Sequence, residues 1–597
     1  MSALGASQPL AATPRHALHC RTVTPKSRQS IGRSPTHTPA TSIHAPAEPF
    51  LAGRHWARLL FLAGLTAVTL LPFTGKALHM DDPMYVWAAK QICVEQLDPY
   101  GFDVNWYGYP LHMSEVMKNP PLTSYYIAAV GLAFGWGDRT LHLAFIIPAI
   151  IAILGTYLLA KRLCRRPLLA GICTLFTPVF LVSSTNLMSD VLLLAFWVFA
   201  IHFWLAGEKG SSALRLVIAG VLIACSALAK YYGMALIPLL LVYSLLDSRR
   251  PKWTLAYLLV PIALLGAYQW ATHELYGRGL LFDAAAYAGD TPSQWGKWST
   301  ARALIGLAFA GGCLGVASIF SLWTWPRWAW FAGAAATGAV LVSVVATHTI
   351  AGSALPEYHG SVWMRASLLG VFATTGFSLL ALGVADIVTR RDPESWLLCL
   401  WVLGTFVFAA GVNWTTNGRA ILPLVPAAAI LVARRVESRG RGNGLSTRRT
   451  LIVAACAATL AVGVTFADLE YANSARAAAW WICQRHGGTS GDVMFQGHWG
   501  FQYYMEALGA KAFDSHGPGL KPGDVLAVPQ HNSNVKMVQE TSSLRLVETM
   551  DVPSSRWIAT MRMGAGFYAD GYGPIPFAVG KVPLERYQIY QVPLHGE

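Results

Sequence analysis

Long apolar runs alternate with short polar segments along most of this 597-residue chain. Crossing the hydrocarbon core of a bilayer takes about 20 mostly apolar residues, and about thirteen runs come near that length. The pattern therefore predicts a polytopic α-helical membrane protein. The predicted spans lie near residues 56–74, 140–160, 167–186, 190–207, 213–230, 232–247, 253–272, 302–324, 328–347, 364–386, 396–412, 420–434 and 450–468.

Composition supports this fold class, since only 13% of the residues are charged, against about 25% in soluble domains. The net charge of +14 does not indicate nucleic-acid binding, because the basic residues cluster in short loops between apolar runs. A path that starts in the cytoplasm and alternates places every such cluster on the cytoplasmic side. The clusters are Lys161–Arg162 with Arg165–Arg166, Arg249–Arg250 with Lys252, Arg327, Arg390–Arg391, Arg434–Arg435 with Arg439 and Arg441, and Arg448–Arg449.

One apolar stretch does not fit that path. Residues 121–137 are apolar but short, and a full span there would turn the basic segment 161–166 outward. We expect a helix that lies in, or dips into, the outer interface.

The chain divides into three parts on this path. Residues 1–55 are rich in Ser, Thr, Pro and Arg, which suits a transit peptide, a disordered basic tail or an over-long gene start; we favour a disordered cytoplasmic tail. Residues 56–468 form the predicted transmembrane domain, with a first outer loop at 75–139. Residues 469–597 are polar and combine strand-like and helical segments, so we expect a small extracytoplasmic α/β domain.

Two adjacent carboxylates, Asp81 and Asp82, follow the first predicted span. A pair of acids at a membrane edge is costly to desolvate, and membrane proteins keep such a pair more readily for proton or cation work than for packing. An Asp ahead of Pro83 can also cap a helix, but a cap needs only one Asp, so the doublet favours a function. Asp190 joins them on the outer rim, with helix capping as an equal alternative.

Three cations are predicted on the same rim: Lys230 between two apolar runs, and Lys118 and Arg419 at outer span ends. Snorkelling to the headgroups explains each cation taken singly. As a set, three cations opposite three carboxylates suit an anionic lipid headgroup beside a nucleophile that must lose a proton. The first outer loop is also rich in aromatic residues, Tyr85 among them, which an interfacial belt or sugar stacking would explain.

These residues, in this order, resemble the glycosyltransferase family 39 group of the GT-C superfamily, which includes dolichyl-phosphate-mannose protein mannosyltransferases and bacterial aminoarabinose transferases of lipid A. The resemblance covers roughly residues 56–468, and in it Asp82 stands where Glu is common. Asn119 stands where many relatives have Lys, which shifts weight from Lys118 to Lys230 and Arg419. The similar segments are DDPMYVWAA, KNPPLTSYY, STNLMSDVLLL, AKYYGMALIPLLL and GRAILPLVPAAAIL.

The resemblance implies a GT-C fold and a hexosyl or pentosyl transferase. It would move a sugar from a polyprenyl-phosphate donor, with inversion, to a hydroxyl of a protein, glycolipid or glycan acceptor. Its site would face the periplasm from a bacterial inner membrane, and its partners would be membrane lipids rather than nucleic acid. No cofactor is certain, although a divalent cation such as Mg²⁺ or Mn²⁺ would suit hard oxygen ligands.

The implied roles follow the same motifs. Asp81 would be the catalytic base, while Asp82 and Asp190 would orient the acceptor or hold the metal. Lys230 and Arg419, with Lys118, would bind the donor phosphate, and Tyr85 would bind substrate.

Two other functions fit parts of the sequence. A transporter or flippase of undecaprenyl-linked or other anionic lipids would need ionisable groups near mid-span and paired repeats, whereas these acids flank the spans and no repeat is found. A non-catalytic receptor or assembly protein would act through residues 469–597, which carry no nucleotide-binding glycine fingerprint.

Overall fold

The computed structural model describes residues 50–247, 251–291, 293–357, 360–443, 447–488, 491–536 and 544–594. The expected tail at 1–55 therefore lies almost wholly outside the described residues. The helices are α1 Phe50–Leu70, α2 Asp82–Val94, α3 Met113–Val116, α4 Leu122–Phe134, α5 Asp138–Leu163, α6 Pro167–Leu175, α7 Pro178–Ser184, α8 Asp190–Gly210, α9 Ala213–Ala229, α10 Leu236–Leu246, α11 Leu259–Tyr276, α12 Leu280–Asp290, α13 Thr300–Leu314, α14 Val316–Trp323, α15 Arg327–Thr347, α16 Val362–Arg390, α17 Pro393–Val407, α18 Gly418–Ile421, α19 Val425–Asn443, α20 Thr447–His486 and α21 Trp499–Ala507.

Eight helical segments in the described part of the chain are long and apolar enough to cross a membrane, or nine if the bent pair α6–α7 is one span. The expected count of about thirteen is not confirmed. The remaining predicted spans fall on helices that are short, such as α9 with 17 residues, or that are divided by backbone breaks. The eight segments are His55–Phe73, Asp138–Leu163, Asp190–Gly210, Lys252–Tyr276, Arg327–Thr347, Val362–Arg390, Pro393–Val412 and Ile452–His486.

The breaks have identifiable chemical causes. Helices α6 and α7 meet at 63°, where Pro178 begins α7 and Thr177 caps it by accepting a bond from the Phe180 amide. Proline lacks the N–H that would continue the preceding helix. The run near 302–324 is divided between α13 and α14 at Gly315, whose φ of 36° strongly favours glycine.

Residues 121–137 contain α4, which has 13 residues. At 1.5 Å per residue it is about 20 Å long, short of the roughly 30 Å of a hydrocarbon core. It packs against α2. The two short helices of the first outer loop therefore support each other.

Small residues let the central helices approach closely. A Cβ added to Gly311 of α13 or to Gly376 of α16 would collide with the backbone of the other helix. Close approach of this kind is the usual way in which helices associate within a bilayer.

The C-terminal region is a mixed α/β domain, as expected. Its five strands run in the order β6-β5-β7-β11-β8, with β5 parallel to both β6 and β7, and with β11 antiparallel to β7 and β8. Helix α21 connects β5 to β6. The strands of the chain are β1 Asp103–Asn105, β2 Pro110–His112, β3 Thr349–Ile350, β4 Ser353–Ala354, β5 Val493–Phe495, β6 Lys511–Ala512, β7 Val525–Pro529, β8 Arg545–Val552, β9 Ile558–Ala559, β10 Ala578–Val579 and β11 Glu585–Gln591.

Helix α20 joins the two parts of the fold. It has 40 residues, about 60 Å of helix, so it continues well beyond residue 468, where the predicted span ended. Its last turns pack against α21 and β8. The segment between β8 and β11 returns to the helical domain, where β9 contacts α20 and β10 contacts α16.

Candidate active site

The two adjacent aspartates point to different places. Asp81 precedes α2 and makes no capping hydrogen bond with its side chain. Its Oδ2 lies 2.9 Å from Nη1 of Arg419, at the start of the predicted 420–434 span. The preceding residue, Met80, has a φ of 48°, a left-handed conformation that is uncommon for residues other than glycine. This turn leaves the carboxylate of Asp81 on the wall of a cavity.

Asp82 is fully buried and is not among the residues that line the cavity. The His79 amide donates to its Oδ2 at 2.9 Å, and the Leu187 amide donates to its Oδ1 at 2.8 Å. Burial raises the pKa of the Asp82 carboxyl to about 7, against the opposing effects of Lys76 and the two amides. Asp82 therefore ties the loop of residues 75–139 to the turn before α8. It does not line the cavity, where its expected role of orienting the acceptor would place it.

Asp190 and Lys230 form an ion pair, with Nζ 2.7 Å from Oδ1. Asp190 is the first residue of α8 and its side chain is 3% exposed, whereas Lys230 lies between α9 and a short 3₁₀ turn and is 24% exposed. Lys230 lines the cavity, and Asp190 lies behind it. The carboxylate thus holds the ammonium at the cavity wall.

Lys118 lines the same cavity. Its Nζ lies 2.6 Å from Oδ2 of Asp283 on α12 and 5.6 Å from the ring centroid of Tyr287. The structure therefore brings all three predicted cations to one cavity, although each faces a carboxylate from a different element.

The cavity has a volume of about 1290 Å³. Its lining combines charged residues with an apolar part, which consists of rings and aliphatic side chains from α8, α10, α17 and the turns that flank them. The apolar side includes Trp197, Tyr232, Pro238, Leu239, Trp401 and Phe408. Such a combination accommodates a ligand with one anionic end and one apolar end.

Tyr85, expected to bind substrate, lies elsewhere. It is 1% exposed, and its hydroxyl lies 3.1 Å from Oγ of Ser189. Its position one turn into α2 points it between helices rather than into the cavity, so it supports the site from behind.

The possible metal site at Asp82 and Asp190 does not fit these contacts. Both oxygens of Asp82 accept backbone amides, and Asp190 is neutralised by Lys230. Among the described residues, no group of three His, Cys, Asp or Glu side chains is arranged to hold a metal.

A buried polar network next to the site was not predicted from the sequence. Nζ of Lys76 lies 2.6 Å from Oδ2 of Asp468 on α20, and both side chains are fully buried. The Tyr568 hydroxyl donates to Asp468 at 2.7 Å and accepts from the Asn186 amide at 2.9 Å. Asp468 closes an otherwise apolar run, and an acid in such a run is a signal that could have been read.

Tyr568 connects this network to the site. Its ring centroid lies 5.7 Å from Cζ of Arg419. Backbone bonds hold the two segments together: the Gly418 amide donates to Phe567 at 2.8 Å, and the Asp570 amide donates to Thr416 at 2.9 Å. The C-terminal domain therefore forms part of the wall that positions Arg419. The sequence around Tyr568 contains no pattern that predicted this contact.

Residues 118–272 match the family model described as dolichyl-phosphate-mannose-protein mannosyltransferase. The family resemblance is confirmed. The matched segment includes Lys118, Asp190 and Lys230, whereas Asp81 and Arg419 lie outside it. The match covers 155 of the 597 residues. With eight helical segments among the described residues that are long and apolar enough to cross a membrane, the chain is an integral membrane protein. No protein in the curated set matches the chain by sequence.

Among solved structures, the chain is similar to the oligosaccharyltransferase of Archaeoglobus fulgidus, crystallised with a tethered acceptor peptide. The identity is 14% and the TM-score 0.47, over 78% of this chain but only 64% of that one. It is similar to ArnT from Cupriavidus metallidurans bound to undecaprenyl phosphate, with 12% identity and a TM-score of 0.42 over 80% of this chain and 93% of that one. For ArnT in the apo state, the identity is 12% and the TM-score 0.41, over 80% and 94%.

Proposed function

We propose that the protein is a glycosyltransferase that moves a sugar from a polyprenyl-phosphate donor to an acceptor hydroxyl on the periplasmic side of a bacterial inner membrane. One observation carries the proposal. A single cavity joins the carboxylate of Asp81 to the three cations predicted from the sequence and to an apolar wall.

The cavity suits the donor lipid. The prenyl chain would lie along the apolar wall formed by α10 and α17, and its phosphate would lie against Arg419, Lys230 and Lys118. Nε of Arg419 is buried and has no hydrogen-bond partner in the described part of the chain. A guanidinium has five N–H donors in a fixed fork, so Arg419 can bond Asp81 through Nη1 and a phosphate oxygen through Nε.

The chemistry needs one base and one cation. Asp81 takes the proton from the acceptor hydroxyl as its oxygen attacks the anomeric carbon. The bond from that carbon to the phosphate oxygen breaks, and the phosphate leaves with the electron pair. Because the second pKa of a phosphate monoester is near 6, the leaving group needs only the nearby cations and no general acid. A single displacement of this kind inverts the configuration.

The transporter alternative finds no support in the charge placement. Asp81 precedes α2, Lys230 follows α9, and Arg419 lies in the four-residue helix α18. Transport sites usually lie near mid-span between paired repeats, and the sequence shows no such repeat.

The test is transfer by the purified full chain in detergent. Mass spectrometry of co-purified lipid should find a polyprenyl-phosphate sugar, which then serves as donor. Asp81→Asn should retain the lipid but lose transfer by at least 10²-fold, about the contribution of general base catalysis. Asp103→Asn, which removes an exposed carboxylate of the same outer loop, is the matched control. Wild-type transfer by Asp81→Asn would show that the base is assigned wrongly.

A further inference from the structure

Part of the cavity lining comes from two distant parts of the chain. Trp106 and Tyr107 come from the first outer loop, and Trp499, Ser533, Asn534 and Tyr572 come from the C-terminal domain. We call these six residues the aromatic wall. The roles derived so far for donor and base use none of them.

Contacts link the two parts of the chain that contribute the aromatic wall. The Asn534 side-chain amide donates to the backbone oxygen of Trp106 at 3.0 Å. The Trp106 ring lies 5.3 Å from the ring of His498, next to Trp499 in the chain, and the Trp499 and Tyr572 rings meet edge to face at 5.6 Å. These contacts fasten the outer loop to the domain and leave ring surface on the cavity side.

The wall is held in an unusual backbone conformation. Trp499 has a φ of 61° and Asn534 a φ of 53°. Residues other than glycine are uncommon in this region of conformational space, and those that adopt it cluster at functional sites. Tyr107 is 36% exposed, and Trp499 and Tyr572 are half-buried, so ring faces remain accessible from the cavity.

The wall carries no net charge. Burial is the main cause that raises the pKa values of Tyr107 and Tyr572 to about 12, so both phenols keep their protons. Burial also lowers the pKa of the neighbouring His498 to about 4. Asp570 lies two positions before Tyr572 and lines the cavity, and its carboxylate accepts from the Thr415 hydroxyl at 2.6 Å. Four cations of the described residues line the cavity: Lys118, Lys230 and Arg419, each paired with a carboxylate, and Lys297, which donates to the backbone oxygens of Ala288 and Gly289.

We propose that the aromatic wall is the acceptor subsite and that the acceptor is a neutral carbohydrate chain. The proposal rests on the glycosyltransferase function given above. The apolar faces of sugar rings pack on aromatic side chains, while sugar hydroxyls bond to amide, hydroxyl and indole groups such as those of Asn534, Ser533 and Trp499. None of the six residues of the aromatic wall could neutralise the charge of a phosphorylated glycolipid.

The test is saturation-transfer NMR on the full-length protein in detergent. The probes are three neutral hexaoses (maltohexaose, cellohexaose and α-1,6-mannohexaose), a Ser/Thr-rich peptide and a phosphorylated glycolipid. At least one hexaose should bind, and Trp499→Leu should weaken that binding at least tenfold. Trp499→Phe keeps a ring and should stay within threefold of wild type. Trp480→Leu is the control, because Trp480 is an exposed tryptophan of α20 that does not line the cavity.

The two proposals fail separately. Asp81→Asn should abolish transfer yet leave hexaose binding unchanged. Active Asp81→Asn with hexaose binding that depends on Trp499 would overturn the assigned base and support the subsite. The subsite is overturned if none of the hexaoses binds, if Trp499→Leu binds one as wild type does, or if only the peptide or the phosphorylated glycolipid binds in a Trp499-dependent way.

Discussion

Arg419 and Asp81 lie 2.9 Å apart, between Nη1 and Oδ2, although they come from opposite ends of the transmembrane domain. The guanidinium is also stacked over Tyr568, which the C-terminal domain supplies. The proposed base, the proposed phosphate-binding group and the C-terminal domain are therefore joined through one side chain.

The Arg419→Lys variant tests whether Arg419 bonds Asp81 and the donor phosphate at the same time. A lysine keeps the charge but is a point donor, so it cannot bond Asp81 and a phosphate oxygen in the same fork. We expect kcat/KM for a polyprenyl-phosphate sugar to fall on the order of 10²-fold, as when one preorganised donor is lost. Arg485→Lys, at an exposed position of α20, should have no effect. An unchanged kcat/KM in Arg419→Lys would remove Arg419 from the phosphate site.

Variants of the Lys230–Asp190 ion pair can distinguish an effect on donor binding from an effect on the stability of the fold. Lys230→Met leaves the nearly buried Asp190 without its partner, which costs roughly 3–5 kcal/mol for a buried pair and should lower the unfolding temperature. The double variant Lys230→Met with Asp190→Asn should recover most of that stability, because no charge is left uncompensated. Donor affinity, measured by equilibrium binding, should stay weak in both variants. Recovery of affinity in the double variant would contradict a phosphate-binding role for Lys230.

Loss of the buried Lys76–Asp468 ion pair should lower the stability of the fold. Removing either charge leaves the other in a site with no solvent access, at a cost of roughly 3–5 kcal/mol. Thermal unfolding in mild detergent should therefore shift down clearly for Lys76→Met and less for Lys76→Met with Asp468→Asn. Lys511→Met, at a largely exposed surface pair, provides the comparison. An equal fall in its unfolding temperature would show that burial of the Lys76–Asp468 pair adds nothing to stability.

Asp82 should make stability depend on pH. Its pKa is raised by burial to about 7 in the folded protein, above its value in the unfolded chain, so the folded state holds the proton more tightly. The stabilising contribution is complete below pH about 4 and is lost as the pH rises toward 7. Unfolding measured across this range should show a falling stability in wild type. The same curve should be flatter in Asp82→Asn, and identical slopes would show that another group titrates.

The charged residues of the cavity could be predicted from the sequence, but their partners could not. Asp81, Lys118, Lys230 and Arg419 were all recognisable as charges at span ends, and all four line the cavity. Their partners were not recognisable, because an ion pair between helices depends on packing between segments that are far apart in the chain. Adjacent helix residues point about 100° apart, so the doublet by itself did not tell which aspartate reaches the cavity.

The apolar runs and the basic clusters between them determined, from the sequence alone, that this chain is helical and embedded in lipid. That information is local, because the apolar composition of each run and its helical backbone bonds are enough to suit it to the surrounding lipid. Only the tertiary structure decided that Asp82 is buried under backbone amides, that Lys76 meets Asp468, and that Tyr568 supports Arg419. These contacts join residues hundreds of positions apart, and they exist only once the helices and the C-terminal domain have packed together.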